Sequence, residues 1–485
     1  MSDSKEISNG WIKAIFENLL DYIQPTKFIV ESTEYDDKYK TPVLTAGKSF
    51  IIGHTNETNG VFNKIPVIIF DDFTTATKFV NFPFKVKSSA MKILSPVSKL
   101  VNIKYVFCYM QTLRINADTH KRYWISHYSK LPVPLPPLPE QHRIVAKIEE
   151  LFSSLDKGIE SLKTAQQQLK VYRQSVLKWA FKGKLTEAFR NINNQLKDVS
   201  SILSDIRKNR ENWFKKNGKK LKLIAEIDSH DLPELPKKWC WVKIVETVLN
   251  TADDIVDGPF GSNLKNSDYV DGAPVPVIGI SNIEEGFDKK IRYITNEKFE
   301  TIKRSAVYPG DIIVAKIGST YGKTGIYPEW MPIGVIPANL LRIRPAEHYS
   351  KKLLVHYLQS IVFKKRLDKI MKSTAQPAFN VSMFKDLPIP FMSLDEQNKL
   401  VDEIEARLSV CDKIEESIEQ SLKQSESLRQ SILKKAFGGK LVPQDPNDEP
   451  ASVLLARIKA EKEKNKPENP PHRQAGKTKT KKAKS

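Results

Sequence analysis

The 485-residue sequence predicts a mixed α/β (α+β) fold. Two globular domains are separated by two long helices that pack as an antiparallel intramolecular coiled coil, with a pseudo-two-fold internal repeat. Three observations predict this. LPVPLPPLPEQHRIVAKIEE, starting at Leu131, returns as LPIPFMSLDEQNKLVDEIEA at Leu387, 256 residues on, and self-similarity at a fixed shift marks a repeated structural unit. Within each copy, apolar residues recur at every seventh position. Ahead of each copy, short β-rich runs are broken by Gly, Asn and Asp.

The repeat holds its register without a gap. Glu140-Gln141 matches Glu396-Gln397, Arg173-Gln174-Ser175 matches Arg429-Gln430-Ser431, and AFKGKL at Ala180 matches AFGGKL at Ala436. The preceding blocks are more faintly related, Trp11-Ile12-Lys13 aligning with Trp241-Val242-Lys243 and Tyr123–Tyr128 with Phe379–Phe384. The expected divisions are a first variable block at 1–130 and a central helical region at 131–190. A basic linker follows at 191–236, then a second variable block at 237–386 and a second helical region at 387–442. A Lys/Pro-rich disordered tail closes the chain at 443–485.

In the first helical region the heptad series Ile148, Leu155, Leu162, Leu169 and Val176, flanked by Leu151, Tyr172 and Trp179, forms a coiled-coil seam. The second copy keeps Ile404, Ile418 and Ile432, while Cys411 and Ser425 weaken the series, which favours an antiparallel partner within the chain. Gly183 and Gly439 end the helices as C-terminal breakers. In the variable blocks, Val67–Phe70, Val277–Ile280 and Ile312–Ala315 read as strands, and Lys104–Leu113 and Lys351–Leu367 as helices. Tyr109 and Tyr357, at helical spacing, are assigned to the core.

Composition narrows the function classes. With 77 Lys+Arg against 57 Asp+Glu the net charge is +20, which points to a polyanionic partner. The stretch from Arg457 to Lys484 holds +8 of this, leaving +12 elsewhere. Ser200–Arg207 resembles Ser452–Lys459, so the segments after the helices repeat as well. No apolar run long enough for a membrane span and no secretory leader is found, and three scattered cysteines suit a reducing, cytoplasmic setting.

Catalytic motifs are imitated but not completed. GSTYGKT at Gly318 falls one residue short of the phosphate-loop spacing, with Ile317 where the first glycine belongs. Asp395-Glu396-Gln397-Asn398 resembles a helicase acidic box, yet its repeat partner is Pro139-Glu140-Gln141-His142, so a helix-entry or interface role is expected. Asn469-Pro470-Pro471-His472 lacks the aromatic ring of an amino-methyltransferase loop. Asp71-Asp72 is the one tempting acidic pair, and a turn or phosphate-positioning role is expected for it in preference to metal binding. No catalytic residue and no metal site is assigned.

Taken together, PVLTAGKSFIIGHTNE (42–57), IIFDDFTTATKFVNFPFKVKSSAMKIL (68–94), DGPFGSNLKNSDYV (257–270), PGDIIVAKIGSTYGKTGI (309–326) and the paired LPxP…EQ…I segments resemble the specificity subunits of type I restriction–modification systems. The resemblance covers nearly the whole chain. It implies that the variable blocks are target recognition domains, each reading one half of an asymmetric bipartite site in double-stranded DNA, and that the helices set their spacing and dock methyltransferase subunits.

It further implies two methyltransferase and two restriction/translocase subunits as partners. No cofactor is implied for this chain; S-adenosylmethionine belongs to the methyltransferase, and ATP and magnesium to the nuclease/translocase. A stand-alone bipartite DNA-binding protein is the alternative. Because base readers need donors and acceptors on loops, the candidate DNA contacts in the first domain are Thr45, Lys48, Ser49, Thr74, Thr75, Thr77, Lys78, Lys85 and Lys87. Those in the second are Ser262, Asn263, Lys265, Ser281, Asn282, Lys316, Ser319, Thr320, Tyr321 and Lys323.

Overall fold

A computed structural model describes residues 8–465 apart from 46–48, 114–122, 194–196, 229, 231, 260–262 and 372–377. Two helices of 43 residues each, Leu138–Ala180 and Leu394–Ala436, begin and end at repeat-equivalent positions. The chain divides into two compact units, and the division falls inside both helices. One unit holds 1–162 and 419–485, the other 163–418. The helical regions are therefore not separate bodies.

In the first unit, Ile148 and Ile432 are buried, Leu155 and Leu162 are half-buried, and Arg429 forms an ion pair with Asp156. In the second, Leu169, Val176, Ile404, Cys411 and Ile418 are buried, and Arg173 meets Asp412 at 2.7 Å and Glu415 at 2.9 Å. The pairs 156/429 and 412/173 are the same contact under the 256-residue shift, and within each unit the two helix segments run antiparallel. The buried Cys411 fills the seam as a small hydrophobe. Tyr172 and Trp179 do not belong to the seam, being 43% and 42% exposed. The acids of the facing helix draw Arg173 inward, which turns Tyr172 out, and Val176, Leu177 and Ala180 occupy the inner face in place of Trp179.

Both units share a sheet plan. The first has an antiparallel sheet ordered Leu20–Ile23, Met91–Pro96, Val67–Asp71, Thr77–Val80; the second has Ile255–Asp257, Leu340–Ile343, Ile312–Ala315, Thr324–Ile326 in the same order. A second sheet follows in each, with an antiparallel and then a parallel neighbour: Ile51–Thr55, Thr41–Leu44, Lys85–Val86 against Arg292–Ile294, Val275–Val277, Gly334–Val335. The LPxP strands Pro132–Leu135 and Pro388–Phe391 pair with the first strand of their own block, Ile12 opposite Leu135 and Cys240 opposite Phe391. Trp11 therefore corresponds to Trp239, correcting by two residues the sequence alignment that matched it to Trp241.

Short elements expected to be linker and tail are part of these units. Helix Val199–Lys216 lies within the expected linker, and its Arg210 is buried, donating to the carbonyls of Glu246 at 2.9 Å and Val248 at 3.0 Å. Helix Ala451–Lys464 lies within the expected disordered tail, yet Ala451, Leu454 and Ile458 are fully buried and Lys462 donates to the carbonyl of Glu17. Apolar burial, not composition, decides whether so charged a stretch folds. Residues 466–485 lie outside the described residues.

The EQ motifs anchor each helix start to its domain. Gln141 Nε2 donates to Pro136 O and Gln397 Nε2 to Met392 O, both at 2.9 Å. Both glutamates are buried, but their partners differ. Glu140 accepts from Trp11 Nε1 at 3.0 Å, while Glu396 pairs with Arg190 at 2.5 Å and Thr186 at 2.8 Å. Burial raises the Glu140 pKa, against the lowering effect of Trp11, Gln444 and Arg143.

A carboxylate whose folded pKa is raised loses stability as pH climbs from the unfolded value through the folded one. Glu140→Gln, whose amide oxygen still accepts from Trp11, is accordingly expected to unfold at equal or higher urea at pH 7 and to flatten the stability profile above pH 4.5. Glu396→Gln strands a buried guanidinium and is expected to cost about 3–5 kcal/mol. Urea titrations of both variants across pH check the contrast.

Candidate nucleic-acid interface

About half of the candidate contacts lie on one hairpin in each unit, at the edge of a four-stranded sheet. In the first unit the hairpin joins Val67–Asp71 to Thr77–Val80, with Ile68 opposite Phe79 and Phe70 opposite Thr77. Asp71 builds the turn. Its Oδ1 accepts from the amides of Phe73 at 2.9 Å and Thr74 at 3.3 Å, and its Oδ2 from the Thr74 hydroxyl at 2.6 Å. Its carbonyl accepts from the amide of Thr75, which sits at φ 61°. Asp72 fixes the base of the turn by accepting from Trp124 N at 2.9 Å and pairing with Lys92 at 3.6 Å. The acidic pair is thus consumed by the turn, as expected for it. Among the described residues, no group of three or more His, Cys, Asp or Glu could hold a metal.

This arrangement leaves Thr74 and Lys78 exposed and Thr75 and Thr77 half-buried, with Thr77 accepting from Gln111 Nε2 at 2.6 Å. The neighbouring loop joins in. Lys78 Nζ lies 6.0 Å from the Phe50 ring centre, Thr45 N donates to Phe50 O, and Lys87 N to Leu44 O. Thr45, exposed Ser49, Lys78 and exposed Lys87 therefore form one neighbourhood. Lys48 lies outside the described residues.

Lys85 does not belong to the interface. It is 3% exposed and its ammonium is held by Glu57 at 2.5 Å and by Asn59 O at 2.7 Å. Burial would raise the Glu57 pKa, but Lys85 and the amides of Ser32 and Glu31 outweigh it and hold the carboxyl below its ordinary value.

The second unit places an analogous hairpin between Ile312–Ala315 and Thr324–Ile326. Its loop, 316–323, turns through Gly318 and Gly322, both at positive φ, which is why the GSTYGK stretch mimics a phosphate loop without being one. Ser319 is exposed, Thr320 and Tyr321 are half-buried, and exposed Lys323 pairs with Glu284. The Tyr321 hydroxyl donates to Asp368 at 2.8 Å, a bond that raises its pKa. Ser281 is exposed on the adjoining helix Ile280–Glu285.

Two candidates are again structural. Lys316 is buried and pairs with Asp257 at 2.6 Å. Asn282, 2% exposed, links Gly279 N to Lys289 O. Asn263 and Lys265 are exposed in a separate segment before Asn266–Asp268, and Ser262 lies outside the described residues. Tyr109 and Tyr357 hold the LPxP strands, donating to Pro132 O at 3.0 Å and Pro388 O at 3.2 Å; Tyr357 is fully buried and Tyr109 half-buried.

Phe73 escaped the sequence reading. It is 47% exposed at the tip of the first hairpin, and its signal was an aromatic between an Asp-Asp pair and a Thr-Thr pair. The first unit also opens a cleft of about 560 Å³ floored by Phe107, Cys108, Ile148 and Phe152. Burial, with Glu149 adding, pushes the Cys108 thiol up to about 12, so it stays protonated and is no nucleophile.

Known proteins match this arrangement. The family described as type I restriction modification DNA specificity domain matches residues 254–424, which take in the second hairpin and most of the second long helix. The matched segment carries a type I restriction modification DNA specificity domain. A relative in Escherichia coli, the type I restriction enzyme EcoR124I/EcoR124II specificity subunit, is 44% identical over 168 residues, 32% of this chain and 42% of the relative. The EcoBI specificity subunit, also from Escherichia coli, is 28% identical over 68% of this chain and 64% of its own length. The chain thus spans less than two thirds of these two curated relatives.

The MjaVIII specificity subunit of Methanocaldococcus jannaschii is 24% identical over 79% of this chain and 80% of its own. Two solved structures share the fold at 17% identity. One is a chain of a type I R-M system studied for complex assembly and conformational transition, with a TM-score of 0.62 over 90% of this chain and all of that one. The other is the HsdS subunit of Thermoanaerobacter tengcongensis, with a TM-score of 0.52 over 91% of this chain and all of that one.

Burial separates the lysines of this chain into two groups with opposite expected behaviour. Lys85→Met leaves half-buried Glu57 without its buried partner and is expected to lower stability by about 1–3 kcal/mol. Lys78→Ala is expected to leave stability within about 0.5 kcal/mol and to reduce the slope of DNA affinity against salt by about one contact. Urea unfolding and DNA binding at several salt concentrations separate the two.

Proposed function

We propose that this chain is the DNA-recognition subunit of a type I restriction–modification enzyme, reading an asymmetric bipartite site in double-stranded DNA with one half-site per globular domain. One observation carries the reading. Two units with the same strand order hold loops of unrelated sequence, 72–76 and 316–323, at the equivalent hairpin, while the helical segments that support them are near-copies. Constant supports with different reading loops are what two different half-sites require. Lys and Arg supply register on phosphates, and loop groups supply base discrimination.

The chain has no catalytic site of its own in this reading. It positions two methyltransferase subunits, which use S-adenosylmethionine to methylate an adenine in each half-site. Two restriction/translocase subunits that use ATP and magnesium join for cleavage. The long helices set the spacing and dock these partners, and the assembly works in the cytoplasm. Among the described residues no helix is long and apolar enough to cross a membrane.

The experiment is a map of methylated adenines in cells carrying an active partner methyltransferase, with and without this chain. An asymmetric bipartite motif is expected only with the chain, and exchanging residues 1–130 for another first domain is expected to change one half alone. Absence of any chain-dependent motif overturns the reading. Tight, sequence-selective binding by the chain without any partner would favour a stand-alone DNA-binding protein.

A further inference from the structure

We infer that the Asp71–Ala76 turn is the base-reading element of the first half-site. Phe73 is its apolar contact and Thr74 its hydrogen-bond acceptor, and Asp71 is the positioning residue that sets the direction of the Thr74 hydrogen bond. This deepens the proposed function and rests on it. A hairpin needs only about two to five loop residues to reverse the chain, and one aspartate accepting from the turn amides suffices to hold it. This turn instead uses two buried carboxylates, Asp71 at 7% and Asp72 at 4% exposure. What that framework holds in place is an exposed phenyl ring and an exposed hydroxyl.

The chemistry follows from the hydrogen-bond directions. Asp71 Oδ2 can only accept, so the proton between it and Thr74 Oγ1, 2.6 Å apart, comes from the threonine. The hydroxyl has no second proton. Its remaining outward capacity is therefore to accept, and the major-groove groups that donate are the exocyclic amines of adenine and cytosine. Ala76 N also approaches Oγ1, at 3.4 Å, which leaves one lone pair to face outward. The Phe73 ring beside it suits an apolar feature of a base edge, such as the thymine methyl. In the second unit the equivalent loop, 316–323, is longer and ties its aromatic, Tyr321, to Asp368, so it presents different chemistry, as unequal half-sites demand.

Asp71→Asn tests the direction directly. Asn Oδ1 still accepts from the Phe73 and Thr74 amides, but the side-chain amide now donates to Thr74 Oγ1 and frees the threonine proton to point outward. A donor would then face the groove in place of an acceptor. The measurement is selection of preferred duplexes from a random-sequence DNA pool by the full-length chain in its native assembly, at one fixed salt concentration.

Wild type is expected to select a bipartite site with adenine or cytosine at one position of the first half. Asp71→Asn is expected to shift that position toward guanine or thymine, and Thr74→Val to erase its preference. Phe73→Ala is expected to weaken the wild-type site by about 5- to 150-fold. The second half-site stays unchanged in all three. Because Phe73 and Thr74 are exposed, their variants are expected to melt like wild type, so they test the turn whatever the stability of the Asp71 variant, whose own melting is measured alongside.

If wild type selects a bipartite site and both the Thr74 and Phe73 variants select the same first half with the same affinity, the inference is wrong while the recognition role stands. An Asp71→Asn protein that folds and keeps the wild-type base preference overturns the role of Asp71. If wild type selects no sequence at all, the recognition role itself fails.

Discussion

Neither unit completes its core from one contiguous stretch of chain, and this constraint shapes everything else. In the first unit Ile144, Val145 and Ile148 of one long helix pack with Ile432, Leu433 and Ala436 of the other, and with Leu454 and Ile458 beyond it. In the second, Leu177 and Ala180 meet Leu400, Val401 and Ile404, with Val199 following. Each core therefore draws on helix segments from both copies of the repeat. A helix face that is apolar at heptad spacing has nothing to bury alone, and two such faces on one chain satisfy each other. This also explains why the segments after the helices, charged as they are, fold. Each covers the one-turn helix at the entry to a domain, capping its carbonyls with Arg210 in one unit and Lys462 in the other.

The second organising principle is how charge is divided between framework and surface. Carboxylates at half-buried Glu57 and at buried Asp72 and Glu396 each hold a buried cation, Lys85, Lys92 and Arg190. These pairs are made across distant parts of the chain and orient loops and helix starts. They add little net charge, so among the described residues the basic excess stands largely on exposed side chains, where long-range attraction for a polyanion is produced. The Glu140 and Glu396 pair shows that a repeat preserves position before it preserves partners. One carboxylate takes an indole proton and the other a guanidinium.

The same division separates the supports from the loops they hold. Framework residues recur between the units: tyrosine hydroxyls on the LPxP carbonyls, glutamines on the turn before each helix, and glycines at φ 68° and 65° closing each helix. At Gly183 a Cβ would meet Pro236, so the helix stop is also a packing contact. The hairpin loops do not recur in sequence, and variation is concentrated where the backbone is supported by constant neighbours.

The repeat, its 256-residue register, the two long helices and the presence of two related blocks with dissimilar loops were legible in the sequence alone, because periodicity and self-similarity are local or linear properties. The Asp71-Asp72 turn was legible for the same reason. Tertiary structure alone decided which candidates are free to touch DNA. Lys85 and Lys316 look like surface cations, yet each is buried against a carboxylate 28 and 59 residues away in sequence. Asn282 is spent on bridging two backbone groups, and Phe73 is held outward by the acid beside it. Tertiary packing also turned Tyr172 and Trp179 away from the seam, moved the Trp11 match to Trp239, and folded Ala451–Lys464 from a stretch that composition marks as disordered. Burial and pairing depend on what lies across the core, and one-dimensional patterns carry no record of that.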